Sequence, residues 1–197
     1  MLESLKIAVI NTLLIVTILP IIGLILSIIE NKTAKILCKI LGVKVTSFIL
    51  NKLTFIGTIH HELSHALFVI CSGAKLKNIE LFKPDKKTGT LGKVRFITRG
   101  PSVIKSIQMC LISVAPMICG SISLCISIIL IVTLNLSSIT LLVVIYIAIS
   151  ILLHMQMSKQ DLINCKKGAP ICVGILFLII WILKIDILNF ILSLYYK

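Results

Sequence analysis

Apolar positions in this chain come as long runs separated by short polar segments. Ile7–Ile29 is almost continuously apolar, and a spanning helix needs about 20 such residues; Pro20 predicts a kink within it. In Glu30–Lys52, lysines at 32, 35, 39, 44 and 52 are spread among apolar residues, the pattern of an amphipathic segment on a membrane surface. A helix is predicted over Ser47–Ser72, with Gly73 as its stop. Ala74–Arg99 is the one sizeable polar region. There "KLKNIELF" and "LGKVRFIT" flank the turn chemistry of "KPDKKTG", which predicts a β-hairpin. Gly100-Pro101-Ser102 opens a long helix from Val103 to about Thr133, predicted to break at Ala115-Pro116 and Gly120. "NLSS" (Asn135–Ser138) is a tight uncharged turn, and Thr140–Met157 is the next span. A second polar stretch, Ser158–Gly168, precedes Ile171–Leu194, which carries Lys184 and Asp186. That segment reads as one tilted span or as a short span followed by an interfacial helix. The sum is an α-helical integral membrane protein of about five hydrophobic helices, with a small β-hairpin on the cytoplasmic side.

Composition agrees. Of 197 residues, 58% are hydrophobic and 14% charged, which belongs to the integral membrane class. The net charge of +13 sits in short segments between apolar runs. There it sets topology and meets anionic head groups; no basic patch interleaved with aromatics points to nucleic acid. The seven cysteines include no C-x-x-C pair, so neither a disulfide framework nor a cysteine zinc site is expected. The N-terminal apolar run is too long for a signal peptide and lacks a cleavage site, so it reads as a retained span.

Charge also orients the chain. Ala74–Lys105 carries nine Lys/Arg and Asn135–Ser138 none, which places the hairpin and the Ser158–Gly168 loop in the cytoplasm and "NLSS" outside. The helix before the hairpin then enters from outside, which puts the basic Glu30–Lys52 segment outside against the rule, or along a membrane surface.

Within that helix stands "TIHHELSHALFVICSG", Thr58–Gly73. His61, Glu62 and His65 form H-E-x-x-H. Histidines four apart share one helix face, so both imidazoles reach one Zn²⁺, and Glu62 reaches a water beside it as general base. A catalytic zinc takes three protein ligands, so a third comes from elsewhere. Glu80 and Asp85 lie in the hairpin, and Asp186 lies near Lys184. His154 and Asp161 flank the end of the Thr140–Met157 helix, at matching depth. "SKQD" also has capping-box spacing, an alternative role for Asp161. His60 points about 100° away from His61 and reads as a support or lipid-interface residue. Ionisable groups within membrane segments are functional by default; the alternative is a paired cluster that only stabilises packing.

The order "HHELSHAL" (60–67), "GTLGKVRF" (89–96), "SVAPMICG" (113–120) and Asp161 resembles the site-2 protease family of intramembrane zinc metalloproteases, over about residues 50–168. The resemblance implies His61, His65 and Asp161 as zinc ligands and Glu62 as the base. It also implies a membrane-spanning or membrane-bound peptide substrate, cleaved near the cytoplasmic face of a cell membrane. Two positions depart from the family pattern. Its L-D-G is "SKQDLIN" here, and its asparagine after the proline is missing from "PMICG", a place that His154 or Asn164 is a candidate to fill. On this reading residues 1–46 are an N-terminal span plus basic segment, 47–168 a minimal catalytic core with its hairpin at 74–99 and no PDZ or CBS domain, and 169–197 a C-terminal hydrophobic segment. Two rivals are a non-proteolytic zinc-binding membrane protein (a scaffold or immunity-type protein) and a transporter using the His/Glu cluster. The second lacks the internal repeat it calls for. The Ile- and Lys-heavy usage hints at an AT-rich bacterial genome.

Overall fold

The computed structural model describes residues 2–83 and 91–195; the predicted hairpin tip, with Asp85, falls outside them apart from Lys83. In order come α1 (Leu2–Phe48), a π-helical turn (Ile49–Leu53), α2 (Phe55–Cys71), β1 (Lys75–Glu80), β2 (Lys93–Ile97), α3 (Ser102–Thr133), α4 (Ser138–Leu152), α5 (Lys159–Leu183) and α6 (Ile187–Tyr195). Among the described residues, three helical stretches are long and apolar enough to cross a membrane: Glu3–Leu53, Ser102–Thr133 and Lys159–Leu183. The chain is thus α-helical with one small antiparallel hairpin, as its apolar pattern predicts.

The departures from expectation lie in the boundaries. One helix continues from Ile7–Ile29 through Glu30 to residue 41, so no boundary separates a span from a surface segment at Glu30. Helical dihedrals persist through Pro20, and the break falls at Gly42, whose φ of 79° suits a residue without a β-carbon. The lysines at 32, 35 and 39 repeat at helical spacing, so nothing before Gly42 stops the helix. The helix bearing the motif begins at Phe55, not Ser47, because the π-helical turn intervenes. The long helix runs unbroken through Pro116. A proline deletes one backbone hydrogen bond, and here its ring is fully buried in the core. The polar stretch Ser158–Gly168 is not a loop but the start of α5, capped by Ser158. Of the two readings of the last segment, the second is the closer. α5 stops at Leu183, Lys184 turns left-handed with φ 51°, and a short α6 follows.

The core lies among α2, α3, α4 and α5, around Val69, Ile112, Ala115, Met117, Ile151 and Met155, each at most 5% exposed. Contacts between elements fix their directions. Gly57 and His61 of α2 meet Ser150 and His154, and His65 meets Asp161. Hence α4 runs along α2 in the same direction, and after the interruption at Leu153–Ser158 the first turn of α5 brings Asp161 to His65. α3 runs against α5, with Cys110 beside Cys165 and Ser106 beside Gly168. α1 leans on α5 and is tied to the turn into α6 by Asn11, which accepts from Leu188 N (3.1 Å) and donates to Ile185 O (3.5 Å).

The hairpin folds back along α2. β1 and β2 pair antiparallel from Lys75↔Ile97 to Glu80↔Lys93, with a register shift between Leu76 and Asn78. Phe82, just after β1, packs edge-on against Phe55 at the start of α2, ring centroids 6.0 Å apart. At the other end Gln108 of α3 accepts from Arg99 N and donates to Ser72 O, 2.9 Å each, joining the exit of the hairpin to the end of α2. Being two-stranded, the sheet leaves one edge of each strand without a ladder partner.

Candidate metal centre

α2 carries His61, Glu62 and His65 at its middle. Glu62 and His65 are each 8% exposed, as the inward face of an amphipathic helix requires. Each histidine is held through Nδ1. His61 Nδ1–H donates to the carbonyl of His154 (2.7 Å), at the α4–α5 interruption, and His65 Nδ1–H donates to the carbonyl of Ile112 (2.8 Å) on α3. A carbonyl only accepts, so these two bonds fix the proton of each neutral ring on Nδ1 and leave Nε2 as a bare lone pair.

Those lone pairs converge. The two Nε2 atoms lie 3.1 Å apart, and Asp161 Oδ1 lies 3.6 Å from His65 Nε2. Nitrogen and oxygen donors from His61, His65 and Asp161 all fall within 4.8 Å of one another. With both rings neutral, three electron-pair donors, two on buried residues, are crowded together, an arrangement that a cation between them relieves. The donor set therefore fits a metal ion, and backbone carbonyls that fix the tautomer of each ring are the usual outer support of such a site.

Asp161 divides its two oxygens between tasks. Oδ2 accepts from Ser158 N (2.9 Å) and from Ser158 Oγ (2.6 Å), while Asp161 N donates to Ser158 Oγ (3.1 Å). This is a complete capping box at the start of α5. Oδ1 is left facing His65. The capping box is formed, and it leaves free, facing His65, the oxygen that the ligand reading needs.

Other residues singled out in the sequence lie elsewhere. The His154 ring turns back up α4 to the carbonyl of Ser150 (Nδ1, 3.0 Å), so this residue meets His61 by its main chain. His60 Nε2 pairs with Ser123 Oγ at 2.9 Å on another face of α2. Asn164 accepts from Gln160 Nε2 at 2.9 Å and lines a cavity of about 240 Å³ with Lys105 and Lys167, away from the histidines. In "PMICG" the proline is core, and Gly120 lets Met155 approach, since a β-carbon there would lie 2.7 Å from Met155 Cβ. Glu80 is bonded to Asn78 within the hairpin, and Asp186 to Asn189 at the start of α6.

The structure adds residues that the sequence does not single out. Ser150, fully buried, accepts from Gly57 N (2.8 Å) and donates to Thr54 O (2.9 Å), clamping the first turn of α2. Gly57 allows this, because a β-carbon there would run into the Ser150 carbonyl and lie 2.8 Å from His154 Nδ1. Tyr146, Ser150 and His154 recur at every fourth residue, a polar stripe on an otherwise apolar helix that was available as a signal. Gly92 lies against Glu62: a β-carbon at 92 would sit 2.6 Å from Glu62 Cγ and 2.9 Å from Leu81 O. Glu62 is also close enough to Asp161 for their charges to interact. The buried carboxylate is enclosed between the hairpin and the candidate ligands.

A model of a family described as Peptidase M50B-like matches residues 33–196 of the chain. No curated protein and no solved structure matches it.

Proposed function

The chain belongs to the Peptidase M50B-like family, and from that membership we propose that it is a multi-pass cell-membrane zinc endopeptidase, cutting membrane-embedded or membrane-bound peptides near the cytoplasmic face. The observation that carries the reading is the convergence of two proton-free Nε2 atoms and one carboxylate oxygen beside a buried glutamate. Zinc suits the spacing: ligand atoms about 2.0–2.1 Å from one tetrahedral ion lie about 3.3 Å apart, against 3.1 and 3.6 Å here. When bound, zinc acts as a Lewis acid that polarises a peptide carbonyl and acidifies water.

The rest of the chemistry is supplied by the chain. Glu62, next to His61 and walled by Gly92, takes the proton of the attacking water on its carboxylate and returns it to the leaving amine. The backbone carbonyls of Ile112 and His154 keep both rings in the tautomer that offers Nε2. The unpaired edges of the hairpin offer a peptide the main-chain bonds of an added strand. An extended segment held there, along the same face as Gly92, is brought up to Glu62. The enclosure of Glu62 favours this reading over a zinc-binding scaffold, which needs no base.

The test compares wild type with Glu62→Ala in detergent, measuring zinc by elemental analysis and cleavage of a panel of single-span substrates. The expected result is zinc in both proteins and a loss of roughly 10²–10⁴-fold in cleavage, the usual contribution of a general base. Wild type without zinc would sink the metal assignment. Equal cleavage by the two proteins would sink the peptidase assignment.

A further inference from the structure

Apart from the metal centre, one pair of reactive side chains is in direct contact across two helices. Cys110 Sγ of α3 and Cys165 Sγ of α5 lie 3.4 Å apart. We propose that these thiols form a reversible disulfide, and that its closure clamps α3 to α5 and slows loss of metal from His61, His65 and Asp161.

Helix packing brings this pair together. α3 and α5 cross here at their closest, since a β-carbon on Gly168 would run into Ser106 O and lie 2.7 Å from Cys110 Cβ. The close packing holds the two helices together at this point, and a disulfide requires the sulfurs to close from 3.4 Å to about 2.05 Å. Cys110 is 5% exposed, whereas Cys165 is half-buried and within reach of a reagent. Cys172, two turns further along α5, approaches the same Cys110 thiol, so the pair stands in a sulfur-rich seam. Each thiol is also placed next to the metal ligands. Cys110 precedes by two residues Ile112, whose carbonyl holds His65, and Cys165 follows Asp161 by one helical turn. A covalent bond between 110 and 165 therefore fixes the separation of the two segments that support His65 and Asp161.

The step needs a disulfide oxidant. Cys165 attacks it as thiolate and forms a mixed disulfide, releasing one thiol. Cys110 then displaces the second thiol and closes the Cys110–Cys165 bond. Two S–H bonds are lost and one S–S bond forms, while the oxidant's disulfide is reduced to two thiols that take up the two hydrogens. A dithiol reverses the sequence.

The experiment treats the full chain in membranes with oxidised glutathione, then alkylates free thiols and maps cysteine pairs by peptide mass spectrometry. The expected product links Cys110 to Cys165, is opened by dithiothreitol, and is missing from both Cys110→Ser and Cys165→Ala. If both thiols remain open to alkylation, or crosslinks join exposed Cys71 or Cys125 of separate chains instead, the disulfide assignment is overturned. Release of metal to a chelator is then timed in oxidised and reduced wild type. Release should be roughly tenfold slower when oxidised, in line with the 10–100-fold effect of altering outer support at metal sites; equal rates overturn the clamp. Only this second measurement rests on the metal reading. A wild type that holds no zinc fails that reading, while the peptide map still decides the disulfide.

Discussion

Gly92 and Glu62 are packed so closely that no side chain fits between them: a β-carbon on Gly92 would lie 2.6 Å from Glu62 Cγ and 3.0 Å from Glu62 Cδ. The hairpin is thus a wall of the space around Glu62. In Gly92→Ala either the hairpin lifts from α2 or the carboxylate swings out. Misplacement of a reacting group by about 1 Å can cost about 10²-fold in rate. The expected variant keeps its zinc and loses cleavage by about that factor, measured as zinc content against turnover on one single-span substrate.

Asp161 predicts a graded series. Asp161→Ala removes a ligand and the cap together, so both zinc and thermal stability fall. Ser158→Ala leaves Oδ1 in place and removes only the hydroxyl that orients Oδ2. It should cost about 1 kcal/mol as a lost cap and weaken zinc affinity about 10–100-fold as a lost outer support. Zinc titration and melting in detergent separate the two; a Ser158→Ala protein with unchanged zinc affinity would show that Oδ1 is placed without the box.

His154 reaches the centre through its carbonyl, and its ring points to Ser150. Replacing the ring by alanine should therefore leave zinc stoichiometry at the wild-type value, while His61→Ala loses it. Elemental analysis of the two purified variants decides this, and loss of zinc in His154→Ala would make the ring a ligand.

Two glycines should behave oppositely. At Gly57 a β-carbon meets the Ser150 backbone, whereas at Gly174, inside α5, it meets nothing within 4 Å. Gly57→Ala forces α2 from α4 and takes the His154 carbonyl from His61, so both melting temperature and zinc affinity fall. Gly174→Ala should melt at or slightly above wild type, since alanine is the better helix residue by about 1 kcal/mol. Paired thermal melts check the contrast.

Much of this architecture is legible in the residues themselves. Long apolar runs give the helices, turn residues between β-branched and aromatic stretches give the hairpin, and histidines four apart give the shared face. Boundaries are less legible, because they depend on what a residue packs against. Pro116 looks like a break until its ring is found buried in the core, and "SKQDLINCKKG" looks like a loop although Ser158 caps a helix. The division of Asp161 between cap and site is hidden for the same reason: one letter stands for two oxygens. Gly92 and Gly57 carry no local signal, since their value lies in partners 30 and 93 positions away, at Glu62 and Ser150 respectively.

Both histidines owe their tautomer to carbonyl groups, at Ile112 and His154, and every amino acid carries a carbonyl. The orientation of the rings therefore depends on where these two carbonyls lie and not on the polar chemistry of the side chains there, with Ile112 held in place by its burial in the core. Chain length is another matter. Adding or deleting one residue between Leu153 and Ser158 would swing the His154 carbonyl away from His61 and shift Asp161 relative to His65. In this segment selection acts on the number of residues more than on their identity.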